Sequence, residues 1–147
     1  MYTHILISTD GSEFAQKGVD QGLSLAKALG SKVTVVTATD PFPTPVGTAG
    51  WVVTPKEIAG YQVSLKKASE KLLASVREQA EKIGVVADTL HVPDTRPATA
   101  ILEAAGNAGC NLIVMASHGR RGVQRILLGS QAAEVVSNSR VPVLIVR

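Results

Sequence analysis

Hydrophobic positions along the chain fall into two alternating patterns. Five short runs, 4-HILIST-9, 32-KVTVVTAT-39, 85-VVADTLHV-92, 111-NLIVMA-116 and 141-VPVLIVR-147, have the length and β-branched content of strands. Several are nearly continuous in Val, Ile and Leu, as strands buried on both faces should be. Between them, residues 13–29, 56–83, 97–108 and 130–138 carry apolar positions at helical spacing. In the longest of these, Ile58, Tyr61, Leu65, Leu72, Val76, Ala80 and Ile83 fall on one helix face. Gly30 and Gly84 stand where a helix takes a glycine stop. Strands alternating with helices predict βαβ units, a parallel sheet and right-handed crossovers. Five strands and four helices use up the chain, which predicts one α/β domain over residues 1–147. The irregular stretch 40-DPFPTPVGTAGWVVTP-55 holds four prolines and reads as a surface excursion or a lid. Its Trp51 either anchors that stretch or packs on a ligand.

Composition narrows the function classes. A chain of 147 residues that is 45% hydrophobic and 18% charged is expected to fold around a core. A net charge of +3 suits small anionic ligands, but it lacks the dense basic face of a nucleic-acid binder. Only 3% of residues are aromatic, which also speaks against base-stacking platforms. Cys110 is the single cysteine, so an internal disulfide is excluded and a reducing compartment fits. Its place just ahead of a strand predicts a buried, inert thiol. The chain shows no signal-peptide pattern and no apolar stretch of membrane-spanning length, so a cytoplasmic protein with no membrane partner is expected.

In an open α/β sheet, ligands bind beyond the carboxyl ends of the strands. That rule selects 8-STDGS-12, 38-ATDP-41, 92-VPDTR-96 and 116-ASHGRRGVQRILLGS-130. The first three carry Asp10, Asp40 and Asp94. The fourth is rich in glycine and arginine and leads into a helix, where unpaired N–H groups and the helix dipole favour an anion. Ser130 can cap that helix or donate to a phosphate. Gly119 and Gly122 allow positive φ or close approach of a ligand. Arg120, Arg121 and Arg125 are either solvated or reach phosphate oxygens. Asp10 can serve a ligand or close an Asx turn onto 11-GSEF-14. His118 either meets a phosphate or pairs with a nearby carbonyl.

Both familiar phosphate fingerprints, G-x-x-x-x-G-K-[ST] and G-x-G-x-x-G, are absent. His4, His91 and His118 lack metal-ligand spacing, so no protein metal site is predicted. Ser117 and His118 are sequence neighbours rather than a catalytic pair, and no base stands ready for a chemical step.

The stretch SHGRRGVQRILLGS, followed by a short helix and VPVLIV, with ILISTDGS opening the chain, resembles the universal stress protein family from end to end. That family's nucleotide-binding branch carries Gly-x-x-Gly, nine residues, then Gly-Ser or Gly-Thr. This chain matches it except that Ala116 replaces the first glycine. If position 116 needed positive φ, alanine would cost about 1 kcal/mol, but the end of a strand is naturally extended.

The resemblance implies a Rossmann-like sheet of strand order 3-2-1-4-5 with helices on both faces. It also implies an ATP site, with Mg²⁺ arriving on the triphosphate. Ser8, Thr9 and Asp10 would lie beside the nucleoside, and Ala38 would meet the adenine. Met115 and Ala116 would form the floor. His118, Gly119, Arg120 and Arg121 would follow the phosphates, and Gly129, Ser130, Gln131 and Ala132 would close over them. The resemblance further implies a homodimer paired through the terminal strand, residues 141–147. Its nucleotide would be a conformational ligand that orders the 117–129 loop and the 40–55 stretch. A family member without nucleotide, acting as an interaction module, and a slow ATPase remain the alternatives. The protein partner such a regulator would address is unknown from sequence.

Overall fold

The computed structural model describes residues 1–43, 50, 52–120 and 128–147. Its elements are β1 (His4–Ser8), α1 (Glu13–Leu29), β2 (Lys32–Ala38), α2 (Pro55–Lys82), β3 (Ala87–Val92), α3 (Pro97–Ala108), β4 (Leu112–Ala116), α4 (Ser130–Asn138) and β5 (Val143–Val146). The five strands form one sheet of order β3-β2-β1-β4-β5, with every neighbouring pair parallel.

Helix ends follow from local chemistry. Ser12 caps α1 by accepting from the Ala15 N–H at 3.2 Å. Thr54 and Glu57 close a reciprocal capping box at the start of α2. Three helices stop at glycines with positive φ: Gly30, Gly84 and Gly109. After α2, the N–H groups of Gly84 and Val85 bond back to Glu81 and Ala80, and Val85 is buried against the core. That turn claims Val85 and Val86, so β3 begins at Ala87 instead of residue 85. Pro142 stands just before β5, where its missing N–H costs nothing and its carbonyl accepts from Ile113.

Alternation along the strands feeds two cores. Ile5, Ile7, Val33, Val35, Leu112 and Val114 point to the α1/α2 side, with Val19, Leu23, Leu73, Val76 and Ala80. Leu6, Val36, Ile113 and Met115 point to the α3/α4 side, with Ile101, Ala104, Ala105 and Val135. Gly22 lets α1 approach β1, since a Cβ there would lie 2.5 Å from the Ile7 Cδ1.

At 1.5 Å per residue, α2 is about 42 Å long, roughly twice the strand it crosses. Its buried residues, Ser69, Leu73, Val76 and Ala80, all lie in its second half. The first half runs past the carboxyl end of the sheet. Tyr61 and Leu65 are therefore half-buried on the wall of a cleft, while Leu72, further along, lines the cleft and also packs against the core.

Candidate functional site

The cleft opens over the carboxyl ends of β1, β2 and β4 and holds about 1000 Å³. The chain leaves β1 for β2 on one side and reaches β4 on the other, so the cleft sits at the point where strand order reverses.

From β1 come Ser8, Thr9 and Asp10; from β2 comes Ala38; from β4 come Met115 and Ala116. The segment after β4 adds His118, Gly119 and Arg120, and the start of α4 adds Gly129, Ser130, Gln131 and Ala132. Residues proposed from distant parts of the sequence thus line one cavity. Arg121, with Gly122, Arg125 and Trp51, lies outside the described residues. Of the three aspartates at strand ends, Asp10 and Asp40 line the cleft. Asp94 instead occupies a turn with φ 55° and is not part of the lining.

Asp10 makes the Asx turn that its position allowed, accepting the Ser12 N–H on Oδ1 at 2.9 Å. Its Oδ2 also accepts the Arg120 N–H at 2.6 Å. The Arg120 guanidinium in turn donates to the Asp10 carbonyl at 2.7 Å. Thr9 is buried, with its N–H on the Val36 carbonyl and its hydroxyl accepting from Gly11.

The glycines leave room for contacts within the protein. Neither Gly119 nor Gly129 has positive φ. A Cβ at 119 would stand 2.8 Å from the Asp10 Oδ2, and one at 129 would stand 3.0 Å from the Ser117 carbonyl oxygen. Both are needed for contacts of the protein with itself. Ala116 also lacks positive φ, so nothing in its backbone calls for glycine.

Helix α4 begins at Gly129 as N-cap, with no side chain capping it. Ser130 is its first helical residue, which rules out the capping role and leaves its exposed hydroxyl available. The N–H groups of Ser130, Gln131 and Ala132 have no acceptor among the described residues. The Gln131 side chain does something the sequence reading missed: its Oε1 accepts the Ala98 N–H at 2.9 Å and so caps α3. Arg96, at the start of α3, pairs with Glu134 of α4 at 2.7 Å, which ties the two helix starts together.

His118 pairs through Nδ1 with the neighbouring Ser117 hydroxyl at 3.0 Å, not with a carbonyl. Its Nε2 is buried without a partner among the described residues. Nearby, the rings of Phe42 and Tyr61 meet edge to face at 5.1 Å, pinning the start of the 40–55 stretch to α2.

The lining residues not foreseen include Tyr61, Leu65, Lys71 and Leu72 on α2. Their only sequence signal was a helix too long for the strand beside it. Among the described residues, no three His, Cys, Asp or Glu side chains converge as metal ligands. Nor is any described helix long and apolar enough to cross a membrane.

A family model described as the Universal stress protein family matches residues 1–147. Universal stress protein MJ0531 of Methanocaldococcus jannaschii is 33% identical over 149 residues, covering 100% of this chain and 83% of that protein. Among solved structures, universal stress protein UspA from Lactobacillus plantarum superposes with a TM-score of 0.83 at 18% identity, covering 99% of this chain and 98% of that one. A universal stress protein in complex with cAMP superposes with a TM-score of 0.72 at 24% identity, covering 99% of this chain and 97% of its own. At 18% and 24% identity, these two superpositions establish the shared fold alone.

Proposed function

Because the chain belongs to the universal stress protein family, we propose that its cleft binds an adenine nucleotide, ATP foremost, and that the protein is a nucleotide-responsive regulator in the stress response. The observation that carries this reading is the start of α4. Three backbone N–H groups and the Ser130 hydroxyl stand at the cleft without a capping side chain, at the positive end of a helix dipole. A phosphate group there would be met by donors already in place. Elsewhere in the lining, Val36, Ala38 and Met115 are apolar and suit a flat heterocycle. The fold neighbour in complex with cAMP supports an adenine nucleotide as the ligand class.

In this reading the nucleotide changes surface shape instead of undergoing chemistry. With no converging metal ligands among the described residues, Mg²⁺ would be held by the triphosphate itself. The protein would act as a homodimer paired along β5, an edge strand on which Leu144 is 41% exposed.

The test is mass spectrometry of denatured protein purified without added ligand, together with calorimetry using ATP. Adenine nucleotide released from the protein, or saturable heat with ATP, is the expected result. No copurified nucleotide and no binding at millimolar ATP would overturn the reading.

A further inference from the structure

Seven polar side chains among the described residues are at least nine-tenths buried. Five of them have partners. His4 and Thr34 bond each other, and Ser31 donates to the Tyr2 carbonyl. Thr9 accepts from the Gly11 N–H, and the Ser117 hydroxyl pairs with His118. The other two are Thr37, 4% exposed, and Ser69, 5% exposed. Their hydroxyls have no hydrogen-bond partner among the described residues, and both residues line the cleft. A buried hydroxyl left unpaired weakens a fold, so the fold itself supplies no reason for these two.

Their placement follows from the elements that carry them. Val33 and Val35 of β2 pack toward α1 and α2, so Thr37, two residues past Val35, faces the same side. Ser69 stands one turn ahead of Leu73 and is the first buried residue of α2. Both hydroxyls thus belong to the α2 side of the cleft, near the end of β2. The start of α4 lies elsewhere, because the Gly129 N–H bonds the Ser117 carbonyl just past the end of β4. In the sheet β1 separates β2 from β4, so two strand spacings, roughly 10 Å, divide the two places. A nucleotide with its phosphates at α4 reaches β2 only with its base.

We propose that Thr37 and Ser69 read the hydrogen-bonding edge of the base and so select a 6-aminopurine nucleotide. The proposal rests on the reading of the cleft as a nucleotide site with phosphate at the start of α4, and it adds the residues that choose the base. A hydroxyl can donate to a ring nitrogen or accept from an exocyclic amine. Two of them match the neighbouring acceptor and donor on the amino edge of adenine. Ala38, next to Thr37 on the opposite face of β2, supplies apolar contact to the ring.

Calorimetry on the full chain with ATP and with purine riboside triphosphate, which lacks only the 6-amino group, tests the assignment. The unaltered protein should prefer ATP by about tenfold, as expected when a buried polar group loses its partner. The double variant Thr37→Val, Ser69→Ala should bind ATP about tenfold more weakly, or worse, and lose the preference. Its Tm should hold or rise, because neither hydroxyl bonds the protein. Equal affinity of the unaltered protein for the two nucleotides would overturn the assignment. So would a double variant that keeps its preference for ATP, or one whose Tm falls, since the hydroxyls would then serve the fold. If the unaltered protein binds neither nucleotide, the nucleotide reading falls and takes the base-reading role with it. Binding of both without preference removes the base-reading role alone.

Discussion

The two ends of the sheet carry similar polar residues in opposite conditions. At the amino-terminal end of the strands, His4 is 6% exposed and its Nε2 lies 2.8 Å from the Thr34 hydroxyl. The His4 ring also reaches the Ala108 carbonyl, and the Cys110 thiol reaches Thr34. Asn111 seals the outside, accepting the N–H groups of Thr3 and His4 and donating to the Met1 carbonyl. Burial raises the Cys110 thiol pKa, which agrees with an inert side chain. At the carboxyl-terminal end, α4 starts uncapped, the His118 Nε2 has no partner among the described residues, and the walls are half-buried. Where polar groups satisfy one another, the fold is closed. Where donors are left over, there is room for a ligand.

The largest effect should come from placing a charge at the open end. Ser130 is exposed at the first position of α4. A carboxylate in the first helical turn stabilises a helix by about 0.3–1 kcal/mol but repels a phosphate. Ser130→Glu should weaken ATP binding by about 100-fold, close to 2.7 kcal/mol, while Tm holds or rises. Calorimetry and thermal unfolding separate the two effects. Unchanged affinity with a lower Tm would mean that the start of α4 is structural, and the contrast between the two ends would collapse.

At the closed end the pattern should invert. Thr34→Val removes the hydroxyl that serves both His4 and Cys110, leaving buried groups unpaired. The cost should be about 1–3 kcal/mol, which lowers Tm by about 2–4 °C for each kcal/mol. Affinity for ATP should not change. A loss of binding would show that the two ends are coupled through β2.

The closed end was the easier one to read from sequence. Apolar runs and glycine stops fix strands and helices locally, and burial on both faces follows from the lack of alternation. The buried Cys110 was legible for the same reason. At the open end, residues from β1, β2, β4 and α4 could be gathered because strand ends converge in any parallel sheet. Their actual contacts could not be read, because the partners are far apart in sequence. Arg120 and Asp10 are 110 positions apart, and Gln131 and Ala98 are 33 apart. Thus the room that Gly119 leaves for the Asp10 carboxylate and the capping of α3 by the Gln131 side-chain oxygen were not legible. The apolar stripe of α2 was legible as one face and no further. Periodicity tells which residues share a face, but not where the sheet beneath them ends.

Acid should expose the difference between the histidines at the two ends. Burial lowers the pKa of His4 below 6.5, with Lys32 adding to the effect while the Ala108 carbonyl and Asp88 oppose it. Burial likewise lowers that of His91, whose Nε2 lies 2.9 Å from the Thr39 hydroxyl at the cleft rim, against an opposing Glu70 and with a smaller contribution from Lys66. Near pH 6.5 the unfolded chain takes up protons that the folded protein still refuses. Stability should therefore be flat above that region and fall as pH drops through it, levelling once the folded histidines protonate. Urea unfolding at three pH values across the window measures the slope. His4→Gln should flatten it more than His91→Gln, because His4 is buried and His91 only half-buried. A steeper loss from His91 would place the acid-sensitive group at the open end.

The smallest effect separates the ends by how cooperatively they unfold. Gly60 and Gly106 both sit inside helices, and a Cβ added at either meets nothing within 4 Å. Alanine at such a position stabilises by about 0.4–1 kcal/mol, mainly by restricting the unfolded chain. Gly106 lies near the end of α3, next to Ala104 and Ala105 in the core, so Gly106→Ala should raise the global unfolding free energy by that full amount. Gly60 lies in the half of α2 that has no buried residue, over the cleft. A segment with so few buried contacts can open without the rest of the domain. Gly60→Ala should therefore slow amide exchange in residues 57–66 while leaving the global midpoint nearly fixed. Equal midpoint shifts from both substitutions would show that the overhanging half of α2 unfolds with the core, and that the open end is no looser than the closed one.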